Sequence, residues 1–323
     1  MKKGIILLLA TLFSAAALSA QTVNDKPYIT GADISWLQWQ EDSGIRFSDG
    51  GVEGSAIDIL RDNGFNYIRL RLFVNPKSEL GYSQRDGYCD LEHTLAMAKR
   101  IKEAGMMFLL DFHYSDNWAD PAKQIMPQAW QTYSYDEVCE AVYNHTKETL
   151  LALEAQGTLP DMVQVGNEVS NGMLWPYGSV RHTFSGLCGL LKEGVRAVRE
   201  YAPDAEIMIH VALGGQAEES ERFFDAMEEY GVEYDIIGQS YYPEWHGTLE
   251  ELETNTNALV LKYNKPLIVV EYRDHYLDIE RIVSALPNGL GRGTFIWEAT
   301  SPQWGKLFDE TGAATPALDD YNR

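Results

Sequence analysis

Two glutamates end apolar runs of the kind that form buried strands. Glu168 follows the run MVQVGN, and Glu271 follows PLIVV. In parallel α/β proteins the active site is built at the carboxyl ends of the strands, so we expect both carboxyl groups to face one cleft. Glycoside hydrolysis needs such a pair: one carboxylic acid protonates the leaving oxygen, and one carboxylate attacks or activates water. The pair therefore predicts a glycosidase, whereas a single acidic residue after a strand would indicate little.

Strand-like and helix-like segments alternate along the chain, with no linker or low-complexity tract between them. The alternation predicts one (β/α)8 barrel domain over residues 21–323. An open doubly wound sheet is the alternative, but the first strand-to-helix turn lacks a glycine-rich phosphate loop. Three glycines, Gly64, Gly105 and Gly231, are predicted as helix C-caps. The predicted strands are Tyr28–Ile34, Asn66–Phe73, Met106–Phe112, Met162–Val165, Ala205–Val211, Tyr234–Gln239, Pro266–Val270 and Gly293–Trp297. Amphipathic spacing predicts helices over Leu91–Ala104, Tyr135–Gln156, Thr183–Tyr201, Glu218–Tyr230 and Leu249–Tyr263.

The strand ends of a barrel converge, so the residues found there form a first outline of the active site. Arg69 and Arg71 are two apart and point to the same face of a strand. We expect one or both to approach Glu271 and keep it ionised; outward ion pairs with helix carboxylates are the alternative. The Asn167 amide is placed to donate to a sugar 2-hydroxyl. The full set is Asp33, Arg69, Arg71, Asp111, His113, Asn167, Glu168, His210, Tyr241, Tyr242, Glu271 and Trp297.

Composition limits the partners. The formal charge of −22 opposes binding to nucleic acid, to anionic membranes and to strongly acidic polysaccharides. The chain has 8 Trp and 18 Tyr, whose flat faces suit sugar rings. The segment DFHYSDNWADPAKQ has Asp and His, but no metal-binding spacing supports a metal site there, so no metal ligand is predicted.

The first residues predict export. Lys2 and Lys3 precede an apolar stretch from Ile5 to Leu18, which predicts a signal peptide over residues 1–20. The stretch is short for a membrane span, and no later segment resembles one, so we expect a periplasmic or secreted protein. Three widely spaced cysteines, none at the cleavage point, predict neither a lipid anchor nor a thiolate metal site. We expect three buried thiols, with one disulfide left open; the cysteines are Cys89, Cys139 and Cys188.

Long motifs carry a resemblance to a known family. The runs RLRLFVNP, DFHYSDNWADPAKQIMPQAW, VQVGNEVSNGMLWP, GQSYYPEWHGTL, IVVEY and GTFIWEAT resemble the family 53 glycoside hydrolases, which are endo-β-1,4-galactanases. The resemblance implies a retaining mechanism on galactan or type I arabinogalactan, with Glu168 as acid/base and Glu271 as nucleophile. Asn167 then holds the 2-hydroxyl. Further residues implied to bind substrate are Trp118, Trp175, Trp245, Trp297, His113, His210 and Tyr242, with Asp33 and Arg71 as additional candidates.

One departure from the family concerns calcium. Some bacterial members have a long calcium-binding loop after the seventh strand, whereas here EYRDHYLDIERIVSAL continues at once into a helix-like segment. We therefore expect no cofactor; the short segment argues against a structural calcium, which the sequence leaves open. Two other functions stay open: hydrolysis of another β-1,4-glycan, such as mannan or xylan, and a barrel that binds carbohydrate without catalysis.

Overall fold

Eight parallel strands close into a barrel in the computed structural model, which describes residues 26–322. Their hydrogen-bonded order is β1-β8-β7-β6-β5-β4-β3-β2, and β2 pairs again with β1. The strands are β1 (Ile29–Asp33), β2 (Tyr67–Leu72), β3 (Met107–Phe112), β4 (Met162–Val165), β5 (Glu206–Val211), β6 (Ile236–Tyr241), β7 (Leu267–Tyr272) and β8 (Gly291–Ile296). The predicted barrel is confirmed, and closure between β1 and β8 excludes the open sheet.

The helices lie between consecutive strands on the outside of the barrel. They are α1 (Leu37–Asp42), α2 (Ala56–Asp62), α3 (Leu91–Glu103), α4 (Tyr135–Ala155), α5 (Ser185–Tyr201), α6 (Ala217–Glu229), α7 (Pro243–His246), α8 (Leu249–Tyr263) and α9 (Tyr276–Ser284). Capping boxes begin α4 and α8, at Ser134 and Thr248. The predicted cap glycines Gly64, Gly105 and Gly231 all have positive φ, at 93°, 76° and 63°. The α1 and α2 helices were not predicted, because each is too short to display helical periodicity.

The barrel interior is filled in two layers. The lower layer, toward the amino ends of the strands, is apolar and includes Tyr67, Leu109, Met162 and Met208. Side chains alternate between the two faces of a strand, so the residues two positions further on enter the same interior. These residues are polar and form the upper layer, which we call the polar layer: Arg69, Asp111, Gln164 and His210. The alternation thus places a charged, buried layer directly beneath the carboxyl mouth of the barrel.

The sequence also led to expectations about the cysteines, about membrane-spanning segments and about the signal peptide. All three cysteines are free; Cys89 and Cys188 are buried as predicted, and Cys139 is partly exposed. Between residues 26 and 322, no helix has the length and apolar character needed to cross a bilayer. The predicted signal peptide, residues 1–20, lies outside the described residues.

One partly buried histidine, His145, makes the fold sensitive to acid. His145 on α4 packs against the rings of Phe112, Tyr114 and Trp130, and its buried Nε2 has no hydrogen-bond partner. Burial lowers the pKa of His145 to about 4. The neutral imidazole is therefore favoured in the folded state, while the unfolded chain takes up a proton near pH 6.5. The contribution of His145 to the free energy of unfolding should therefore fall as the pH drops below 6.5 and level off below about 4.

We expect His145→Phe to reduce this acid sensitivity. Between pH 7 and pH 4 the wild type should lose about 3 kcal/mol more of its unfolding free energy than the variant. Urea unfolding at several pH values measures the difference. The matched control is His182→Phe, because His182 is exposed. Parallel pH dependences for wild type and His145→Phe would contradict the assignment.

Candidate active site

A cleft of about 610 Å³ opens at the carboxyl ends of the strands, above the polar layer. Both glutamates singled out by the sequence line it, although they come from β4 and β7 on different sides of the barrel. The cleft also brings together most of the other predicted site residues, which are Arg71, His113, Trp118, Asn167, Tyr242, Trp245 and Trp297. Five predicted residues are not among the lining residues: Asp33, Asp111, Trp175, His210 and Tyr241.

Glu271 lies between a cation and a phenol. Its Oε1 is 2.8 Å from the Nη2 of Arg69, and its Oε2 accepts a 3.3 Å hydrogen bond from the hydroxyl of Tyr242. This confirms the prediction that one of the two arginines approaches Glu271. Burial raises the pKa of Glu271 to about 7, and the charge of Arg69 opposes the rise. The charge of Arg69 thus favours the ionised form of Glu271, against the larger effect of burial.

Glu168 has no cation in direct contact. Its Oε1 accepts a 2.7 Å hydrogen bond from Ser240, and its backbone has a φ of 46°, a region that non-glycine residues adopt rarely. Burial raises the pKa of Glu168 well above its ordinary value, and the nearby charge of Glu271 raises it further. The two carboxyl groups share one cleft, but Glu168 holds its proton more strongly than Glu271 does.

His210 reaches Glu168 through Ser240. Its Nδ1 accepts hydrogen bonds from the side chain of Gln164 (3.0 Å) and from the backbone N–H of Glu168 (3.4 Å), so the ring proton lies on Nε2. Nε2 donates to the Ser240 hydroxyl at 2.8 Å, and that hydroxyl donates to Glu168. Burial, followed by the charge of Arg69, holds the pKa of His210 well below its ordinary value, so the ring is neutral. His210 thus fixes the orientation of Glu168 from below the cleft.

Asn167 is held by both ends of its amide. Its Nδ2 donates to the carbonyl of Ala119 at 2.8 Å, and its Oδ1 accepts from the Nη2 of Arg69 at 2.9 Å. The amide nitrogen has a second hydrogen, which is free for a ligand in the cleft. The contacts fix the orientation that donation to a sugar hydroxyl would require.

The second arginine, Arg71, pairs with a carboxylate other than that of Glu271. Arg71 forms a short ion pair with Glu298, and its guanidinium lies 4.3 Å from the ring centroid of Trp118. Asp33 lies between the two arginines, 3.1 Å from Arg69 and 3.7 Å from Arg71, and is fully buried. Burial raises the pKa of Glu298 to about 8, with the charge of Arg71 opposing the rise. Both arginines point into the barrel, which excludes the outward ion pairs.

Aromatic rings line the cleft above these charges. The Trp297 ring lies 6.0 Å from that of Trp118 and 4.9 Å from that of Trp304. Trp245 stands at the rim with 65% of its surface exposed, in edge contact with Tyr242. Exposed indole faces beside buried carboxyl groups suit a sugar chain, which has both apolar faces and hydroxyl groups.

His113 lies at the floor of the cleft. Its Nδ1 accepts the backbone N–H of Ala119 at 3.2 Å, so Nε2 carries the proton and lies 3.1 Å from the carboxylate of Asp111. The ring also contacts the edge of Trp118. His113 thus connects the polar layer to the aromatic side of the cleft.

Two strand-end or loop aromatics point elsewhere. Trp175 lines a separate depression of about 400 Å³ together with Ile125 and Tyr177. Tyr241 donates its hydroxyl to the carbonyl of Gly247, on the helix side of β6. Side chains alternate along a strand, so Tyr241 and Ser240 face opposite sides, and Ser240 enters the site.

Four residues of the site were not identified from the sequence: Gln164, Ser240, Glu298 and Trp304. Glu298 follows Trp297 directly, so the strand-end rule could have found it. Gln164 and Ser240 lie within strands, where only the register of the closed barrel shows which face is interior. Trp304 lies in the loop after β8, and no local pattern places it.

Similarity to known proteins agrees with this geometry. The family model described as Glycosyl hydrolase family 53 matches residues 29–280. An arabinogalactan endo-β-1,4-galactanase of Cellvibrio japonicus is 35% identical over 84% of this chain and 72% of its own length. Arabinogalactan endo-β-1,4-galactanase A of Aspergillus niger is 36% identical over 80% of this chain and 72% of its own. The solved GH53 catalytic domain of Ignisphaera aggregans superposes with a TM-score of 0.86 at 34% identity, covering 96% and 98% of the two chains.

Proposed function

The chain belongs to glycosyl hydrolase family 53, and on that premise we propose that Glu168 is the acid/base and Glu271 the nucleophile of a retaining endo-β-1,4-galactanase. The enzyme hydrolyses β-1,4-galactosidic bonds in galactan. The observation that carries the residue assignment is the difference between the two carboxyl environments. Glu271 contacts Arg69 directly, whereas the Glu168 carboxyl group accepts its hydrogen bond from the neutral hydroxyl of Ser240.

The geometry supports a double displacement in two steps. In the first, Glu271 attacks the anomeric carbon while Glu168 gives its proton to the departing glycosidic oxygen, which leaves a covalent glycosyl-enzyme. In the second, Glu168, now ionised, takes a proton from water, and that water displaces Glu271 from the sugar. Ser240 and the neutral His210 hold Glu168 in one orientation during both steps. Because two displacements occur at the same carbon, the product keeps the β configuration.

The substrate class follows from charge and surface. A neutral galactan side chain fits a cleft lined by indole rings and buried carboxyl groups, since it adds no repulsion to an acidic protein. Asn167 is proposed to donate to the 2-hydroxyl, and Trp297 to lie beneath the sugar at the reacting bond. His113, Arg71, Tyr242, Trp118 and Trp245 complete the proposed contacts. Asp33 and His210 are proposed to act indirectly from below the cleft. Asp33 contacts the two arginines, and His210 orients Glu168 through Ser240.

No bound metal is required by this proposal. In the segment after β7, the carboxylate of Asp274 already pairs with Arg273 at 2.7 Å and Lys306 at 2.9 Å. A carboxylate with two cations beside it is a poor calcium ligand, so these residues do not fit the calcium site of some bacterial relatives. Export through a signal peptide, to the periplasm or the medium, remains part of the proposal.

Product release from a panel of polysaccharides tests the function. We expect reducing ends to appear from β-1,4-galactan and not from mannan or xylan. Proton NMR of the first products should show the β anomer before mutarotation. If mannan or xylan is the better substrate, the mechanism stays the same but the enzyme acts on a different glycan. Binding of galactan without any product would indicate a carbohydrate-binding barrel.

The role of Arg69 is open to a pH test. Its positive charge lowers the pKa of Glu271, so Arg69→Met should raise that pKa. The enzyme would then need a higher pH to ionise its nucleophile, and the acidic limb of kcat/KM on galactan should move up by about one to two pH units. Arg69→Lys keeps the charge and should move the limb less. Circular dichroism checks that both variants fold. An acidic limb at the wild-type position in Arg69→Met would contradict the assignment.

A further inference from the structure

A row of indole rings continues beyond the rim of the cleft. Trp118 and Trp297 lie within the cleft, 6.0 Å apart between ring centroids. Trp36 follows at 6.0 Å from Trp297, and Trp39 follows at 6.4 Å from Trp36. We call these four residues the aromatic row. Neighbouring rings of the row meet at interplanar angles of 58° to 73°. The outer half of the row, Trp36 and Trp39, lies outside the cleft lining.

Trp39 does not serve the packing of its helix. Its side chain is 49% exposed, and the residues that α1 buries are Leu37 and Gln40. A single exposed apolar residue is ordinary on a protein surface. Trp39, however, continues a row that begins at the candidate nucleophile's cleft, and this continuity distinguishes it from isolated exposed residues such as Leu261.

Tertiary contacts hold the short α1 helix, which carries Trp39, in place. Gln40 exchanges two hydrogen bonds with Thr300 after β8, at 2.9 and 2.6 Å. Glu41 forms a two-pronged ion pair with Arg100 of α3, with both contacts at 2.7 Å. The backbone that carries Trp39 is thus held in place, and its ring contacts Trp36. A preorganised site of this kind loses less conformational entropy when a ligand binds.

From these observations we propose that Trp36 and Trp39 form an additional sugar-binding platform, which takes up a β-1,4-galactan chain as it leaves the cleft past Trp297. This inference rests on the proposed galactanase function. It assigns to Trp39 a contact with sugars remote from the reacting bond. Its effect should therefore depend on the length of the oligosaccharide.

Oligosaccharide binding to an inactive background tests the platform. Glu271→Ala prevents turnover, and β-1,4-galactobiose and β-1,4-galactohexaose are titrated by calorimetry. Adding Trp39→Ala should weaken hexaose binding about 2- to 10-fold and leave biose binding unchanged. Trp39→Tyr should restore part of the loss, because it keeps an aromatic face. Leu261→Ala, at an exposed apolar residue on α8, should change neither affinity.

The other outcomes each count against the proposal. Equal hexaose affinity with and without Trp39 would overturn it. Equal weakening for biose and hexaose would also overturn it, because the ring would then act on the fold near the cleft. No binding of any oligosaccharide to the Glu271→Ala background would overturn the galactan function together with this inference. Binding without length dependence would overturn the inference alone.

Discussion

Glu271→Ala is expected to lower kcat on β-1,4-galactan by roughly 10⁵-fold or more, because it removes the group that attacks the anomeric carbon. Oligosaccharide binding should remain measurable, since Asn167, Tyr242 and the tryptophans of the cleft still contact the sugar. Reducing-end release measures the rate, and calorimetry measures the affinity. If turnover is lost while binding is kept, the nucleophile is missing from an intact cleft. If both are lost, the cleft itself has collapsed.

Chemical rescue sharpens this test. In Glu271→Ala an external azide can occupy the space of the lost carboxylate and attack an aryl β-galactoside that has a good leaving group. One displacement inverts the anomeric carbon, so the product should be the α-galactosyl azide. The matched control is Glu206→Gln, since Glu206 is paired with Arg292 at the amino end of the barrel. This control should keep wild-type turnover. Near-native activity of Glu271→Ala would mean that another residue is the nucleophile.

Glu168→Ala is expected to reduce galactan turnover by about 10²- to 10⁴-fold, because the departing sugar oxygen no longer receives a proton. Aryl galactosides whose phenol leaves without a proton should still react in the first step. The second step should be slow, since no base activates water, and a burst of phenol followed by a slow steady state should result. Rapid-mixing absorbance measurements record both phases.

Azide again identifies the role. In Glu168→Ala it should attack the glycosyl-enzyme, and the second inversion should yield the β-galactosyl azide. The basic limb of the pH profile should disappear, because Glu168 is the group that must stay protonated. Its raised pKa, caused by burial and by the charge of Glu271, assigns this limb to it. If this variant gives an α-galactosyl azide, Glu168 is the nucleophile and Glu271 the acid/base.

The two carboxyl groups thus differ through their neighbours and not through their burial. Glu168 is 8% exposed and Glu271 is 6% exposed, so desolvation acts on both alike. Arg69 contacts Glu271 at 2.8 Å, whereas Glu168 has the neutral hydroxyl of Ser240. A cation within hydrogen-bond distance stabilises the ionised form, and its absence leaves the acid form favoured. The position of Arg69 therefore distinguishes the proposed nucleophile, Glu271, from the proposed acid/base, Glu168.

The sequence by itself determined the fold and brought together the two glutamates that we propose to react. Alternating strands and helices fix a barrel, because each strand must bury both faces and each helix must cover the strand beside it. The strand Met162–Val165 was predicted at its observed bounds, and α8 (Leu249–Tyr263) likewise. Glu168 and Glu271 follow such strands, and all strand ends of a barrel converge on one mouth. Their shared cleft could therefore be predicted without coordinates.

The tertiary structure decided which partners meet. One or both of Arg69 and Arg71 were predicted to approach Glu271. Arg69 does so, whereas Arg71 pairs with Glu298, 227 residues along the chain. Trp175 belongs to a motif of the family yet lies in a depression apart from the cleft. Strand alternation determines the face on which a side chain emerges, and so it could place both arginines inside. The partner of each depends on which strands adjoin after closure, and β8 lies beside β1 only because the barrel closes.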